Sequence, residues 1–122
     1  MKILVTDDSI TARKMTIKAI RENLEIEHEV IEASNGQEAF DLYKEKKPNV
    51  VFMDLTMPVM DGFETISLIK TFDNSAIIVV ISADIQKQAI KRAIDLGAFN
   101  FIKKPIDSKK MRRILSKLIV LG

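Results

Sequence analysis

A three-layer α/β sandwich, doubly wound around five parallel strands in the order 2-1-3-4-5, is the fold class that this 122-residue chain predicts. Three observations carry it. Strand-like and helix-like segments alternate strictly, β then α, five times over, which at these loop lengths means parallel strands joined by right-handed crossovers. The strand-like runs are continuously apolar and rich in β-branched residues, as strands covered on both faces are. The runs also end in polar residues capable of chemistry, at the sheet edge where open α/β folds bind their ligands.

Lys2-Ile3-Leu4-Val5-Thr6 is the first strand and terminates in Asp7-Asp8. Ser9 can cap a helix over residues 10–23, in which Ile10, Ile17, Ile20 and then Leu24 recur at helical spacing. Glu29 to Ala33 is a short second strand, broken by Ser34-Asn35-Gly36. Gln37 to Lys46 reads as the second helix, with Ala39, Phe40 and Tyr43 toward the sheet, and Lys47-Pro48-Asn49 stops it. Val50 to Met53 is the central strand and ends in Asp54. Beyond Asp61-Gly62, Phe63, Ile66, Leu68 and Ile69 support a third helix to about Thr71, and Asp73-Asn74-Ser75 is a loop.

Ile77 to Ile81 is the fourth strand and terminates in Ser82-Ala83. Gln86 to Leu96 places Ala89, Ile90, Ala93 and Ile94 at helical spacing, and Gly97 stands where a left-handed residue closes a helix. Phe99 to Ile102 makes the fifth strand, followed by Lys103-Lys104-Pro105. Ser108 can cap a fifth helix with an apolar stripe of Met111, Ile114, Leu115, Leu118 and Ile119.

Composition narrows the function classes. The chain has no cysteine, which removes disulfides and thiolate metal sites and suits a reducing cytoplasm. A net charge of +2 is too small to imply nucleic acid. Lys103, Lys104, Lys109, Lys110, Arg112, Arg113 and Lys117 cluster, but without a helix-turn-helix pattern or an aromatic platform they read as a solvated helix face. No apolar segment is long enough to span a bilayer, and Met1-Lys2-Ile3 enters a strand directly, unlike a signal peptide. The expectation is a cytoplasmic, single-domain chain over residues 1–122 with no output domain, no direct nucleic-acid binding and no membrane insertion. His28, the single histidine, is expected at the surface, and Met53, Met57, Met60 and Met111 are expected to fill gaps in the core or loops.

In the order 2-1-3-4-5 the first and third strands are central neighbours, so Asp7, Asp8 and Asp54 meet at the switch point. Carboxylates that close repel one another, and a hard divalent cation relieves the conflict. Oxygen ligands without histidine or cysteine favour Mg²⁺, which is commonly shared with phosphate oxygens. Lys104 supplies a point charge for a phosphoryl oxygen, Ser82 a hydroxyl donor, and Asp54 a carboxylate able to act as nucleophile.

Asp7-Asp8 after the first strand, Met53-Asp54-Leu55-Thr56-Met57-Pro58, Asp61-Gly62, Ser82-Ala83 and Lys104-Pro105 together resemble the receiver domain of two-component response regulators. The resemblance spans essentially the whole chain and is to the stand-alone chemotaxis-regulator type, with its flavodoxin-like fold. It implies that Asp54 is the phosphoacceptor and that Asp8, Asp54 and the backbone carbonyl of Thr56 bind Mg²⁺ directly, with Asp7 acting through metal-bound water. It further implies that Ser82 and Lys104 hold the phosphoryl oxygens, that Lys104-Pro105 is a cis peptide, and that Thr56 and Asp84 tune the phosphoryl lifetime. Phe101 takes the aromatic switch position, without the hydroxyl that tyrosine brings there in many members. Phosphorylation would draw Ser82 inward and let Phe101 rotate into the space vacated. Such a chain catalyses its own phosphotransfer and slow autodephosphorylation without being an enzyme in the ordinary sense. The implied partners are a sensor histidine kinase, a downstream protein target on the face of the fourth helix, fifth strand and fifth helix, and a phosphatase.

Two rivals share parts of this pattern. A haloacid-dehalogenase phosphatase also forms an aspartyl phosphate, but calls for a second aspartate where Thr56 stands, and for a cap. A flavodoxin-like electron carrier shares the fold, yet no Ser/Thr/Gly-rich phosphate loop follows the first strand.

Overall fold

The computed structural model describes residues 1–83 and 86–121. Its elements are β1 (Lys2–Thr6), α1 (Ile10–Asn23), β2 (Glu29–Ala33), α2 (Gly36–Lys46), β3 (Val50–Met53), α3 (Gly62–Phe72), β4 (Ile78–Ser82), α4 (Lys87–Asp95), β5 (Asn100–Lys103) and α5 (Ser108–Leu121). The five strands pair in parallel in the order β2-β1-β3-β4-β5. Boundaries shift from the sequence reading by about a residue, which is ordinary fraying at element ends. The shift at β4 is informative, because Ser82 joins the strand and pairs with Lys103.

Burial follows strand parity. Ile3, Val5, Val50, Phe52, Val79, Ile81 and Ile102 face α1 and α5, and pack with Ile17, Ile20 and Leu24 and with Met111, Ile114, Leu115 and Leu118. Leu4, Val51, Met53, Ile78, Val80 and Phe101 face the other way, onto Ala39, Tyr43, Ile66, Ile69 and Ala93 of α2, α3 and α4. Each fully buried aliphatic contributes on the order of 1.5–3 kcal/mol, so two such layers hold the central strands firmly and leave their carboxyl ends as the free edge.

Three residues assigned to apolar stripes lie outside them. Ile10, Ile94 and Ile119 are exposed at 63%, 45% and 45%. Ile10 is the first residue of its helix, about a turn and a half before the first buried position at Thr16, while Ala93 takes the inward position that Ile94 misses by one. The four methionines noted are all buried, and His28 is half-buried, with Nδ1 2.9 Å from the carbonyl oxygen of Ile26.

Side-chain caps explain where α1, α2, α3 and α5 start. Ser9 Oγ accepts from the Ala12 N–H, Asn35 Oδ1 from Glu38 and Asp61 Oδ1 from Glu64. At α5 the capping acceptor is Asp107, whose Oδ1 takes the Lys109 N–H at 2.9 Å, and Ser108 is the first helical residue instead. Ser108 Oγ accepts from Asn23 Nδ2 across to α1. Gly97 follows α4 with φ +111°, the left-handed closure its position called for.

Candidate functional site

The ladder between central strands runs one residue past their ends. Asp54 N–H donates to the Thr6 carbonyl at 3.0 Å, and Asp7 N–H to Ala33 at 3.2 Å, so both aspartates leave the sheet in register. The carboxylates of Asp7, Asp8 and Asp54 each place an oxygen within 4.8 Å of the others. Asp7 and Asp54 are buried, whereas Asp8 faces solvent. Asp7 Oδ1 accepts from the Ser9 N–H at 2.9 Å and Asp54 Oδ1 from the Leu55 N–H at 2.8 Å. Their second oxygens share one ammonium: Lys104 Nζ lies 2.8 Å from Asp7 Oδ2 and 3.3 Å from Asp54 Oδ2.

Lys104 arrives there from the turn after β5. Its N–H donates to the Ser82 carbonyl at 2.9 Å, and the Lys104-Pro105 peptide is cis. Ser82 is buried at the end of β4, beside this turn. The loop after Asp54 is closed by the Gly62 N–H, which donates to Leu55 at 2.8 Å. Thr56 is exposed in that loop. Asp84 lies outside the described residues.

Three carboxylates against one ammonium leave excess negative charge in a partly closed site. Burial pushes the Asp54 carboxyl above its ordinary range, against the pull of the Lys104 charge, and the Asp7 charge adds to the rise. For Lys104, burial works against the ammonium, but the hydrogen bond to Asp7 and the charges of Asp54 and Asp7 outweigh it and raise the group. A hard divalent cation fits this donor set, which is all oxygen, anionic and incompletely neutralised.

A stability test follows from the Asp54 shift. A carboxyl raised on folding binds its proton more tightly in the folded chain, so its stabilising contribution is present at low pH and is lost as pH rises through the folded-state value. In EDTA, Asp54→Asn is therefore expected to melt above wild type at neutral pH, with the gap closing as pH falls and the wild-type carboxyl takes up a proton. A gap that stays constant with pH would mean that burial of this charge is not what costs stability.

Phe101, at the expected switch position, is enclosed. It is only 7% exposed and packs within the α2-α3-α4 core layer, with Val80 beside it in register. A phenyl ring without a hydroxyl has nothing to gain from water, which favours the inner position.

Sequence reasoning overlooked Arg13 and Glu32. Arg13 Nη1 donates to the Asp7 carbonyl at 2.7 Å and Nε to Glu32 Oε1 at 3.0 Å. The signal was a basic residue one turn into α1 and an acidic one near the end of β2, which the strand order already made neighbours.

Residues 3–116 match the model of the family described as the response regulator receiver domain. The chain is 40% identical over 120 residues to protein CcdB of Bacillus subtilis, with 97% of each chain covered. It is 38% identical over 119 residues to the chemotaxis protein CheY of Halobacterium salinarum, covering 97% of this chain and 96% of that one. Among solved structures, a CheX-CheY-BeF3-Mg²⁺ complex from Borrelia burgdorferi contains a chain with TM-score 0.82 and 32% identity, over 99% of this chain and 88% of that one.

Proposed function

Because the chain belongs to the response regulator receiver domain family, and with it to the phosphorylation-dependent signalling switches, we propose that Asp54 is the residue that accepts the phosphoryl group. The observation that carries this is the placement of Asp54: a buried carboxylate at the end of the central strand, with Lys104 at 3.3 Å and two further carboxylates within 4.8 Å. Both Asp7 oxygens are engaged by protein donors, whereas Asp8 faces solvent. That division supports Asp8, Asp54 and the Thr56 carbonyl as direct Mg²⁺ ligands and Asp7 as a ligand through water. The bound metal would offset negative charge on the incoming phosphoryl oxygens. Lys104 holds one of those oxygens, and the Ser82 hydroxyl another.

The donor in this reading is a sensor histidine kinase, and the chain supplies the nucleophile and the positioning for its own phosphorylation and slow dephosphorylation. Thr56 and Asp84 set the lifetime. The output face is formed by α4, β5 and α5, which carry exposed Lys87, Lys91 and Lys103 and an apolar groove lined by Phe99, Ser116, Lys117 and Val120. A downstream protein with acidic residues around an apolar anchor fits it, and a phosphatase completes the cycle. Among the described residues no helix is long and apolar enough to cross a membrane. Residues 103–117 read as that protein-binding rim rather than as a nucleic-acid surface.

The test is chemical. Acetyl phosphate with Mg²⁺ should add one phosphoryl mass to the intact chain, and peptide mapping after borohydride trapping should put it on Asp54. EDTA should suppress the adduct. Modification mapped to any other residue would remove the proposal.

A further inference from the structure

Arg13 lies in the first turn of α1, and its side chain is only 13% exposed, although helix arginines usually reach into water. Its fork is engaged on two sides, by the Asp7 carbonyl oxygen at 2.7 Å and by Glu32 at 3.0 Å. That carbonyl belongs to the peptide joining Asp7 to Asp8, so the bond sets the tilt of the unit from which two of the three clustered carboxylates project. Asp7 is otherwise pinned through its N–H to β2, through Oδ1 to the Ser9 N–H and through Oδ2 to Lys104. The carbonyl is the remaining polar group of Asp7, and it lies in the very peptide whose tilt aims both carboxylates. Glu32 stands opposite Val5 in the register, one residue before β2 ends, and steadies the guanidinium from the far side.

We infer that Arg13, braced by Glu32, is a positioning residue for divalent-cation binding: it fixes the Asp7-Asp8 peptide so that both carboxylates converge with Asp54. This rests on reading the acidic cluster as the Mg²⁺ site. Charge and positioning have opposite signs here. A guanidinium near a cation site repels the cation, so by Coulomb's law alone its removal would tighten Mg²⁺ binding. If it holds the peptide, its removal loosens binding, as loss of groups that orient metal ligands typically does by 10- to 100-fold.

Calorimetric titration of Mg²⁺ into the unphosphorylated chain separates the cases. Arg13→Ala is expected to weaken Mg²⁺ by about tenfold, the low end of that range because Asp54 is untouched. Arg13→Lys is expected to recover only part of the loss, since a single ammonium lacks the fork that spans both acceptors. Phosphoryl uptake from acetyl phosphate should need more Mg²⁺ for half-maximal rate in both variants, while the plateau rate stays near wild type. Unchanged or tighter Mg²⁺ binding in a folded Arg13 variant overturns the inference, even if its melting temperature falls, because that pattern marks a structural or purely electrostatic role. If Arg13→Ala does not fold, Arg13→Lys with full wild-type affinity overturns it equally. Should wild type itself bind no Mg²⁺, the metal reading fails and this inference with it.

Discussion

Asp54→Asn is expected to show no phosphoryl uptake from acetyl phosphate at any Mg²⁺ concentration, and Lys104→Met to be slowed by roughly 10²–10³-fold. The two losses differ in kind. The asparagine keeps the shape and the Leu55 contact but has no carboxylate to attack phosphorus, so uptake vanishes instead of slowing. The methionine leaves the nucleophile and removes the ammonium that lies 2.8 Å from Asp7 and 3.3 Å from Asp54. Lys104→Met also leaves two buried carboxylates facing each other, at a cost of about 2 kcal/mol, less than for a fully buried pair because the lysine side chain is 25% exposed. Mg²⁺ should restore more stability to this variant than to wild type, since cation and ammonium compete for the same oxygens. Intact-mass time courses give the rates, and melts with EDTA or Mg²⁺ give the stability. A Lys104→Met chain phosphorylated at the wild-type rate would strip the lysine of its role.

The second large effect lies in Gly62. A side-chain carbon there would overlap the carbonyl oxygen of Asp54 and come within 2.7 Å of Leu55 Cα, both backbone atoms that cannot step aside cheaply. Gly62→Ala is expected to cost about 2 kcal/mol and to slow phosphoryl uptake at least tenfold, because the shift it forces is transmitted to the nucleophile's own peptide. Gly97→Ala is the control. It imposes a side chain on a residue with φ +111° and meets only the flexible arm of Lys70, not the backbone of a site residue. It should lower the melting temperature, with the uptake rate of the folded protein unchanged. Equal rates for Gly62→Ala and wild type would show that the loop closure does not position Asp54.

Most of the fold was legible because its signals are short-range and redundant. Continuous apolar runs, caps such as Ser9 and the stop at Gly97 each state locally what the sheet needs globally. Strand order then brought Asp7, Asp8, Asp54 and Lys104 together without any contact being visible in the chain. What stayed hidden depends on atoms meeting in space. Asp107 and Ser108 are both competent caps, and in the fold Asp107 caps while Ser108 bonds Asn23 on α1. Val59 takes φ +69° at the loop tip, where a β-branched residue announces nothing of the kind. Arg13 and Glu32 become a pair only through β2 lying beside β1.

The burial of Phe101 bears on the dynamic range of the signal. Enclosing a phenyl ring is worth about 1.5–3 kcal/mol, the size of an ordinary coupling between two sites. If the ring is enclosed in both the resting and the phosphorylated form, as it is in this structure, that free energy cannot distinguish the two. A partner that recognises the face with the ring enclosed would then meet a competent surface before any kinase has acted, with a small penalty for selecting a rare conformer. The resting output would then be raised, and the gain on phosphorylation would come from the added charge and whatever backbone it moves, not from an aromatic changing places.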